Sequence, residues 1–569
     1  MARALPRNAD LAEQLELLAD LSELLGEQGF NVIAYRRAAR RIRETPGPIA
    51  ELALAGQAKE LPGIGKMIEE KIVEVVQDGE MHAVTRRRDL VPPEVVSFLR
   101  LPGLGPKTAA RIWQELGVTT IAELKAAAEG ERLRALQGLG ARSEEKILKA
   151  IAADRKAEGP KRELLGFGLG TIKAFVGALR EHPAAVEVSE AGSVRRRRET
   201  FRDIDVIATA TDAAALTGHF TGLEWVAEVA ASGDTKATVV SHEGLRFDLR
   251  VVPPECFGNL LQHFTGSKDH NVALREAAVR RGLSVSEYGV TTVETGEVAT
   301  FRTEPELYEH LGYAFIPPEL RENGGELEAA RGGALPALVE LGDLRGDLHS
   351  HSTWSSDGHD TIEAMAQTAI ERGYEYLALT DHSHYLREER LARQWEEIAA
   401  LNERLAPFRI LRGIEVNIRA DGSLDVADET LAECEWVIAS LHQAFDREPT
   451  KRLLAAIDNP HVDCIGHPTA RKLNKRAGAD VDIERVVERA VATGTALEIN
   501  SQPDRLDLRD THARVAGEAG AWLCVNTDAH EVRALAWTEL GIGMARRAWL
   551  TKERILNTRP WPEIQTLMR

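Results

Sequence analysis

The sequence contains little cysteine and no long apolar stretch. Its four cysteines, Cys256, Cys434, Cys464 and Cys524, form no CxxC pair, which argues against a disulfide framework and a cysteine-based zinc site. No apolar run reaches the roughly 18 residues of a membrane-spanning helix, and the early charges of MARALPRNADLAEQLE argue against a secretory leader. We therefore expect a protein of the reducing cytoplasm that does not enter a membrane.

An excess of positive charge is also missing, because the net charge of the 569 residues is −18. Residues 1–150 are neutral, and the acidity lies in the remainder of the chain. Basic clusters nevertheless remain at 36–43, 86–88 and 195–198, where they can contact phosphate with modest, salt-sensitive affinity. The length exceeds what one hydrophobic core usually holds and predicts about three to five domains.

An ordered series of metal-type side chains runs through the last third of the chain. Most of them follow or end an apolar run, as in YLALTDH, WVIASLH, DCIGHP and WLCVNTDAH, and a barrel of parallel strands gathers such strand-end residues at one mouth. A lone HxH pair is often a surface feature, but nine polar residues at apolar run ends need partners that a shared metal supplies. Imidazole and carboxylate ligands suit Zn, Mn or Fe, so we predict a polynuclear centre for phosphoester hydrolysis. The nine residues are His349, His351, Asp357, His382, Glu415, His442, His467, Asp528 and His530.

This series resembles the PHP (polymerase and histidinol phosphatase) domain over residues 345–569. The resemblance implies a distorted (β/α) barrel in which all nine family ligand positions are filled. It also implies an active site that holds up to three ions of Mn, Zn or Fe.

Three carboxylates in the middle of the chain give a second signal. Asp203 and Asp205 are one residue apart in an apolar β-type run, so both point to the same face, and Asp248 lies in another such run. Neighbouring carboxylates repel each other unless cations lie between them. Oxygen ligands suit Mg or Mn, and two such ions can support nucleotidyl transfer. A lone DxD is a weak signal, because strand-end carboxylates are common.

The segment before these carboxylates is suited to phosphate. Gly192 and Ser193 permit close contact with phosphate oxygens, while Arg195 and Arg196 can balance the charge of a triphosphate. A GS pair followed by DxD ten residues later resembles the nucleotidyltransferase signature of family X DNA polymerases. The resemblance implies that the DxD pair holds both metals. It also implies that Asp248 holds the catalytic metal and takes the proton of the primer hydroxyl.

The segment HFTGSKDHNVALREAA resembles the thumb of the same family. The resemblance implies that Phe264 and Gly266 line the sugar pocket. By the same match, Asn271 touches the base edge and Arg275 contacts the template strand. His263 stands where the family usually has tyrosine, which leaves selection between deoxy- and ribonucleotides open.

Three short glycine motifs, LPGIG, LPGLG and LQGLG, recur before residue 141, each followed by an amphipathic stretch. A tight glycine turn exposes the amide donors of the next helix, which can hold a DNA phosphate. The motifs resemble helix–hairpin–helix elements that bind the duplex backbone, and a plain helical connection is the alternative for any single copy. The predicted DNA-binding glycines are Gly63, Gly65, Gly103, Gly105, Gly138 and Gly140.

The first of these motifs and IAYRRAA before it resemble the small lyase domain of family X polymerases. The family's Schiff-base lysine maps to Lys71, which needs a depressed pKa to act as a nucleophile. A solvated helix lysine is the alternative, and lyase activity stays open.

Together, these motifs cover essentially the whole chain and resemble bacterial family X DNA polymerases with a C-terminal PHP domain. We expect a multidomain α/β protein with helical N-terminal domains, a nucleotidyltransferase-type palm, a thumb and the barrel. The predicted division is a lyase-like domain at 1–85, fingers at 86–158, palm at 159–255, thumb at 256–320, a linker at 321–344 and the barrel at 345–569.

The resemblance implies a repair polymerase that fills short gaps and a barrel that removes 3′ nucleotides, processes 3′ ends and cuts at abasic sites. Its expected partners are gapped or primer–template DNA and dNTPs, and we expect a monomer at the bacterial nucleoid. Two alternatives remain at this point. One is a phosphatase of small monoesters, and the other is a DNA-end scaffold with vestigial sites.

Overall fold

The computed structural model describes residues 5–6, 8–27, 30–45, 49–61, 63–92, 94–101, 104–136, 138–154, 162–386 and 389–568. The chain divides into two compact units. The first comprises Met1–Val194, Thr200–Thr265 and Gly282–Leu307, and the second comprises Arg195–Glu199, Gly266–Arg281 and Tyr308–Arg569.

The start of the first unit is helical. Leu11, Leu15 and Leu18 recur at helical spacing on the first helix and are fully buried against its neighbours. Thr120 and Glu123 form a reciprocal capping box that fixes the start of a later helix. The helices are α1 Asn8–Leu24, α2 Phe30–Glu44, α3 Ile49–Leu54, α4 Lys66–Asp78, α5 His82–Arg88, α6 Pro106–Leu116, α7 Ile121–Glu129 and α8 Ala141–Asp154.

A mixed sheet follows, with strand order β2-β4-β7-β6-β5 in the described residues. Strand β4 runs parallel to β7, and the other neighbouring pairs are antiparallel. Phe175 of the preceding helix stacks on Phe247 of the sheet, with ring centroids 4.1 Å apart. The elements are β1 Glu163–Leu164, α9 Leu165–Glu181, β2 Ala185–Glu190, α10 Gly192–Arg195, β3 Thr200–Phe201, β4 Asp203–Ala210, α11 Ala213–Thr221, β5 Val226–Ser232, β6 Lys236–Ser241 and β7 Arg246–Val251.

The next elements comprise helices and a small antiparallel sheet of order β10-β9-β8. Their bounds are α12 Phe257–Thr265, α13 Lys268–Val279, β8 Leu283–Ser286, β9 Gly289–Thr292, β10 Val298–Ala299 and α14 Glu304–His310.

The second unit contains a parallel sheet of seven strands among its described residues, in the order of the chain from β11 to β17. Most of these strands are buried throughout, as expected for parallel strands covered by helices. A parallel bridge joins Ser350 to Ala529, so the sheet curls into a nearly closed barrel. The strands are β11 Gly346–Ser350, β12 Tyr376–Leu379, β13 Arg409–Asn417, β14 Trp436–Ser440, β15 Cys464–Gly466, β16 Ala496–Asn500 and β17 Leu523–Asn526.

The predicted distorted (β/α) barrel is therefore confirmed. Helices alternate with the strands, and none of the described helices is long and apolar enough to cross a bilayer. The helices of this region are α15 Glu326–Gly332, α16 Ile362–Glu371, α17 Glu389–Leu405, α18 Asp428–Leu431, α19 Pro449–Ile457, α20 Ile483–Thr493, α21 Asp510–Ala519, α22 Thr538–Arg547 and α23 Trp561–Leu567.

The segment that composition favours as a linker is packed within the second unit. Glu326 is fully buried, and its carboxylate lies 2.6 Å from Nδ1 of His270, whose Nε2 lies 2.9 Å from the Tyr308 hydroxyl. Arg321 is also buried and donates to the Ile316 carbonyl at 2.9 Å. Buried charged groups require such partners, so this segment holds the start of α13 in place. The exact domain boundaries stay predictions.

Glu243, beside the sheet of the first unit, gives a test of the fold. Burial raises its pKa to about 7, against hydrogen bonds from Ser241 and Thr171 that lower it. A raised pKa means that the folded state binds the proton more tightly. The contribution of this bound proton to the free energy of unfolding is therefore complete below about pH 4.5 and is lost as the pH rises through 7.

We predict that Glu243→Gln removes this dependence. The difference in unfolding free energy between wild type and variant should change by roughly 3 kcal/mol between pH 4.5 and pH 8. Urea unfolding followed across this range measures it, with the exposed Glu228→Gln as the control. A difference that stays constant with pH would contradict the assignment.

Candidate metal centres and nucleic-acid contacts

The nine predicted barrel ligands lie at or just beyond the carboxyl ends of six barrel strands. Glu415, within β13, is the centre of one group, and its side chain is fully buried. Its carboxylate oxygens lie 2.7 Å from Nδ1 of His382, 3.2 Å from Nε2 of His442 and 3.2 Å from Nε2 of His467. The structure thus brings together side chains that are up to 85 residues apart in the sequence.

The two aspartates complete the set. Asp528 Oδ1 lies 3.3 Å from Nε2 of His351 and 3.6 Å from Nε2 of His349. Asp357 Oδ2 lies 3.3 Å from Nε2 of His382 and 3.5 Å from Nε2 of His530. Among the described residues, three groups have ligand atoms within 4.8 Å of one another: His351, His382 and His530; His349, His351 and Glu415; and His382, Glu415 and His442.

The donor atoms of this mouth fit a metal centre. Nε2 of His349, both ring nitrogens of His351 and both carboxylate oxygens of Glu415 are buried without a hydrogen-bond partner in the described part of the chain. Leaving so many buried polar atoms unsatisfied is costly, and cations shared between them would remove that cost. Imidazole and carboxylate donors suit Mn, Zn and Fe alike.

Two of the barrel imidazoles, His351 and His467, are in the neutral state that binds a metal, whereas His382 is protonated. Burial, with the nearby His530 and His382, lowers the pKa of His351 to about 3, so this ring is neutral, the state that binds a metal. Burial likewise lowers the pKa of His467 to about 4, helped by Arg505. For His382 burial also acts downward, but the neighbouring carboxylates outweigh it and raise the pKa to about 11.

Sequence reasoning missed Glu498, which supports the ligands from β16. Its fully buried carboxylate lies 2.7 Å from Nδ1 of His349 and accepts hydrogen bonds from the His467 amide and from Asn526. Such a carboxylate fixes the tautomer and orientation of a metal-binding imidazole. The signal was available, because ALEIN on this strand repeats the pattern of GIEVN, which contains Glu415.

Two of the barrel ligands occupy unfavourable backbone conformations. His467 has φ of +30° and Asp528 has φ of +52°, although neither residue is glycine. Such conformations cost about 1–3 kcal/mol each and persist where the surroundings fix them, often at functional sites.

The three palm carboxylates lie on adjacent strands, as predicted. Asp205 of β4 is directly opposite Asp248 of the parallel strand β7, and Asp203 precedes it on the same face. Burial and then the charges of these two neighbours raise the pKa of Asp205 to about 6. Asp203 accepts hydrogen bonds from Arg202, and Asp248 accepts them from Arg246, each at 3.0 Å at the closest. None of the three carboxylates belongs to a compact ligand group of the described residues.

The glycine and phenylalanine of the predicted nucleotide site adjoin this triad in the first unit. Gly192 has φ of +61°, and a Cβ there would lie 2.9 Å from Oδ2 of Asp205, so only glycine suits this position. The Ala191 amide donates to the Asp205 carbonyl at 2.8 Å. Phe264 of α12 lies under the guanidinium of Arg250, 4.5 Å from the ring centroid.

Ser193 and His263 complete the predicted positions of the first unit. Ser193 lies in the short helix α10. Nδ1 of His263, on α12, lies 3.8 Å from the carboxylate of Glu287.

Further predicted contacts belong to the second unit. Nε of Arg196 donates to Glu322 at 3.0 Å, and Arg547 donates to the Arg196 carbonyl at 2.9 Å. Gly266 has φ of +65°, and a Cβ there would lie 3.2 Å from Nη1 of Arg196. Asn271 and Arg275, the remaining predicted contacts of this unit, lie on α13.

The three glycine motifs form matching turns. The fourth residue of each motif donates its amide to the carbonyl of the first: Ile64 to Leu61 at 3.0 Å, Leu104 to Leu101 at 3.1 Å and Leu139 to Leu136 at 3.0 Å. Gly65, Gly105 and Gly140 each directly precede a helix, and Gly63 and Gly138 have φ near +88°. Gly103 lies outside the described residues.

The helix starts that follow these turns suit phosphate. The exposed cations Lys66, Lys107 and Arg142 lie in the first turns of α4, α6 and α8. Exposed amides and a nearby cation form an anion site. Lys71 is half-buried on α4, and its lyase role stays a prediction.

Family models match along the chain. A helix–hairpin–helix domain matches residues 6–81, and a SAM-like helix–hairpin–helix tandem matches residues 96–153. A DNA polymerase beta thumb matches residues 260–322, and a PHP domain matches residues 347–502. The chain therefore combines polymerase X-type elements with a PHP domain, and both parts are of metal-dependent types.

Curated relatives extend this result. The chain is 41% identical over 571 residues to the DNA polymerase/3′-5′ exonuclease PolX of Bacillus subtilis (strain 168), covering 98% of this chain and 99% of that protein. It is 25% identical over 345 residues to DNA polymerase lambda of Rattus norvegicus, covering 55% and 56%. It is 30% identical over 225 residues to a probable phosphatase of Thermoanaerobacter sp. (strain X514), covering 37% and 89%. The chain belongs to the PolX family, the bacterial family X DNA polymerases with a C-terminal PHP domain.

The donor geometry predicts that His351→Ala lowers the amount of metal that the barrel retains. His351 belongs to two of the three ligand groups, so its loss should remove at least about one bound ion per chain. Elemental analysis after loading with Mn²⁺ and dialysis measures this. The control is His461→Ala, a histidine outside the ligand set. Equal metal content in His351→Ala and wild type would contradict the site.

Proposed function

We propose that this chain is a DNA repair polymerase that fills short gaps and also degrades DNA from its 3′ end through the barrel. The proposal is supported by two groups of predicted ligands that lie in different parts of the sequence. One comprises three carboxylates on paired strands of the first unit, and the other comprises nine ligands at the barrel mouth. Full-length similarity to a protein named as both polymerase and exonuclease supports it.

In the polymerase reaction, Asp203, Asp205 and Asp248 would hold two Mg or Mn ions. Once bound, these ions would supply charge neutralisation for the carboxylates and the triphosphate. Asp248 would accept the proton of the primer 3′-hydroxyl, whose oxygen bonds to the α-phosphorus of the dNTP while the bond to the β-phosphate breaks and pyrophosphate leaves. Asp205, with its pKa of about 6, is largely ionised at neutral pH, the state in which a carboxylate can hold a cation.

The nucleotide would be held by the residues that the resemblance to family X polymerases assigns to it. Gly192 and Ser193 present their backbone and hydroxyl to the triphosphate, and Arg196 balances its charge. Phe264 and Gly266 line the sugar pocket, and Asn271 reads the base edge. Selection between deoxy- and ribonucleotides at the position of His263 stays open.

In the barrel, the nine ligands would hold Mn, Zn or Fe, with up to three ions. These ions would supply a nucleophilic water at neutral pH and polarise a phosphodiester. Glu498 keeps the His349 ring oriented by its contact with Nδ1. We also assign 3′-end processing and cleavage at abasic sites to this mouth.

DNA would bind through the hairpin turns and through Arg275 on α13. We propose that the glycine turns and the cations beside them hold backbone phosphates without reading sequence.

The same proposal includes dNTPs as substrates, a monomeric state and action at the bacterial nucleoid in the cytoplasm. The six-part domain division and the lyase role of Lys71 belong to it too.

A second candidate is supported by the barrel alone. The similarity to a probable phosphatase covers 37% of this chain, a share close to that of the predicted barrel, residues 345–569. A phosphatase of small monoesters would use the same nine ligands, but it gives no role to the palm carboxylates. Fast hydrolysis of histidinol phosphate together with inert DNA would favour this alternative.

We predict that Asp205→Ala and His351→Ala separate the two activities. On a 5′-labelled primer in one-nucleotide-gapped DNA with Mn²⁺, Asp205→Ala should lose extension by at least about 100-fold and keep shortening. His351→Ala should lose shortening to a similar extent and keep extension. Denaturing gels with and without dNTPs measure both.

The exposed Asp234→Ala and the barrel variant His461→Ala are the matched controls and should keep both activities. If Asp205→Ala extends as wild type does, the palm assignment is wrong. If wild type neither extends nor shortens the primer with Mg, Mn or Zn, the DNA-end scaffold becomes the better account.

A further inference from the structure

Arg505, beside the barrel mouth, has a buried donor without a partner. Its side chain is 14% exposed, and its Nε has no hydrogen-bond partner in the described part of the chain. The nearest carboxylate is that of Asp528, whose Oδ2 is 3.6 Å from Nε, beyond hydrogen-bond distance. A mostly buried guanidinium with an unused donor indicates that an anion is needed at this point.

The loop that contains Arg505 is fastened to the ligand-bearing loops. Asn500 and Asp507 exchange backbone hydrogen bonds across its base, and the Asp507 carboxylate accepts hydrogen bonds from the amide and hydroxyl of Thr469. Gln502 donates to the Asp528 carbonyl at 2.8 Å. These bonds fix the backbone on both sides of Arg505. Its side chain is therefore preorganised to bind a ligand.

Other cations near Arg505 already have ionic or hydrogen-bonding partners. Nζ of Lys472 lies 2.7 Å from Asp504, and Lys475 lies 3.9 Å from the same carboxylate. Arg476 donates to the Ala470 carbonyl. Burial, followed by the charge of Arg505, lowers the pKa of Lys472 to about 8, which shows how closely these cations lie. Arg505 is therefore the cation of this group that faces a metal ligand.

We propose that Arg505 binds a non-bridging phosphate oxygen of the DNA strand that the barrel shortens. A guanidinium recognises phosphate through paired N–H donors, and its place beside Asp528 puts it next to the atoms that would hold the metals. This inference rests on the exonuclease function proposed above. It adds to the nine ligands a residue that holds the substrate and not the metal.

The test compares Arg505→Gln and Arg505→Lys with wild type, with the 65% exposed Lys475→Gln as the matched control. Exonuclease kcat/KM should fall by at least about 100-fold in Arg505→Gln. It should fall by less in Arg505→Lys, because lysine keeps the positive charge but lacks the paired N–H donors of a guanidinium. Lys475→Gln should remain near wild type. Primer extension by each variant serves as the measure of correct folding.

Two further readouts separate substrate binding from metal binding. Inorganic phosphate, added to EDTA-treated protein, should raise the Tm of wild type and of Lys475→Gln but raise that of Arg505→Gln by less than about half as much. Bound Mn²⁺ after dialysis should be equal in all four proteins. Failure of wild type to shorten DNA would refute the proposed exonuclease function. The phosphate measurement would still show whether Arg505 binds phosphate.

Three results would overturn the inference. The first is a kcat/KM of Arg505→Gln within about threefold of wild type, and the second is a response of this variant to phosphate equal to that of wild type. The third is a loss of shortening that comes with a loss of bound metal, in which case Arg505 only holds Asp528.

Discussion

The geometry of the strands brings polar groups so close together that cations are needed between them, and the rest of the structure depends on this constraint. Parallel strands carry their ends to a common edge, so seven apolar barrel strands deliver imidazoles and carboxylates into one buried mouth. Buried ligand atoms of His351 and Glu415 lack hydrogen-bond partners among the described residues, and shared metal ions would supply partners for them. In the first unit, the parallel pairing of β4 and β7 sets Asp205 opposite Asp248 and creates the same need with carboxylates alone.

The two ligand sets meet this need differently. In the barrel, Glu498 supports the imidazoles, and left-handed backbone at His467 and Asp528 aims the ligands. The donor atoms already lie close together, as expected of a preformed centre. In the first unit, Asp203 and Asp248 accept hydrogen bonds from Arg202 and Arg246, and each would have to exchange its arginine for a metal ion to bind one. The three carboxylates are therefore less preformed as a cation site than the predicted ligands of the barrel.

Most of the correct predictions about the fold and the candidate sites came from the periodicity of the strands in the sequence. Asp203 and Asp205 share a face because the side-chain period of a strand is two, and strand-end histidines identified the barrel. The partners of these residues were not predictable in the same way. Glu498 looks like an ordinary strand residue, and Arg505 looks like a loop cation, until tertiary structure places each beside a ligand. The segment 321–344 was favoured as a linker from its glycines, but Arg321 and Glu326 are buried in it, because charges paired across the fold leave no local sequence signal.

The central claim is that both ligand sets hold divalent cations. Anomalous diffraction at the manganese absorption edge, from crystals grown with Mn²⁺ and gapped DNA, tests it directly. The account predicts anomalous peaks among the barrel ligands around Glu415 and also between Asp205 and Asp248. Peaks in neither place, or a barrel mouth without metal under conditions where the protein shortens DNA, would contradict it.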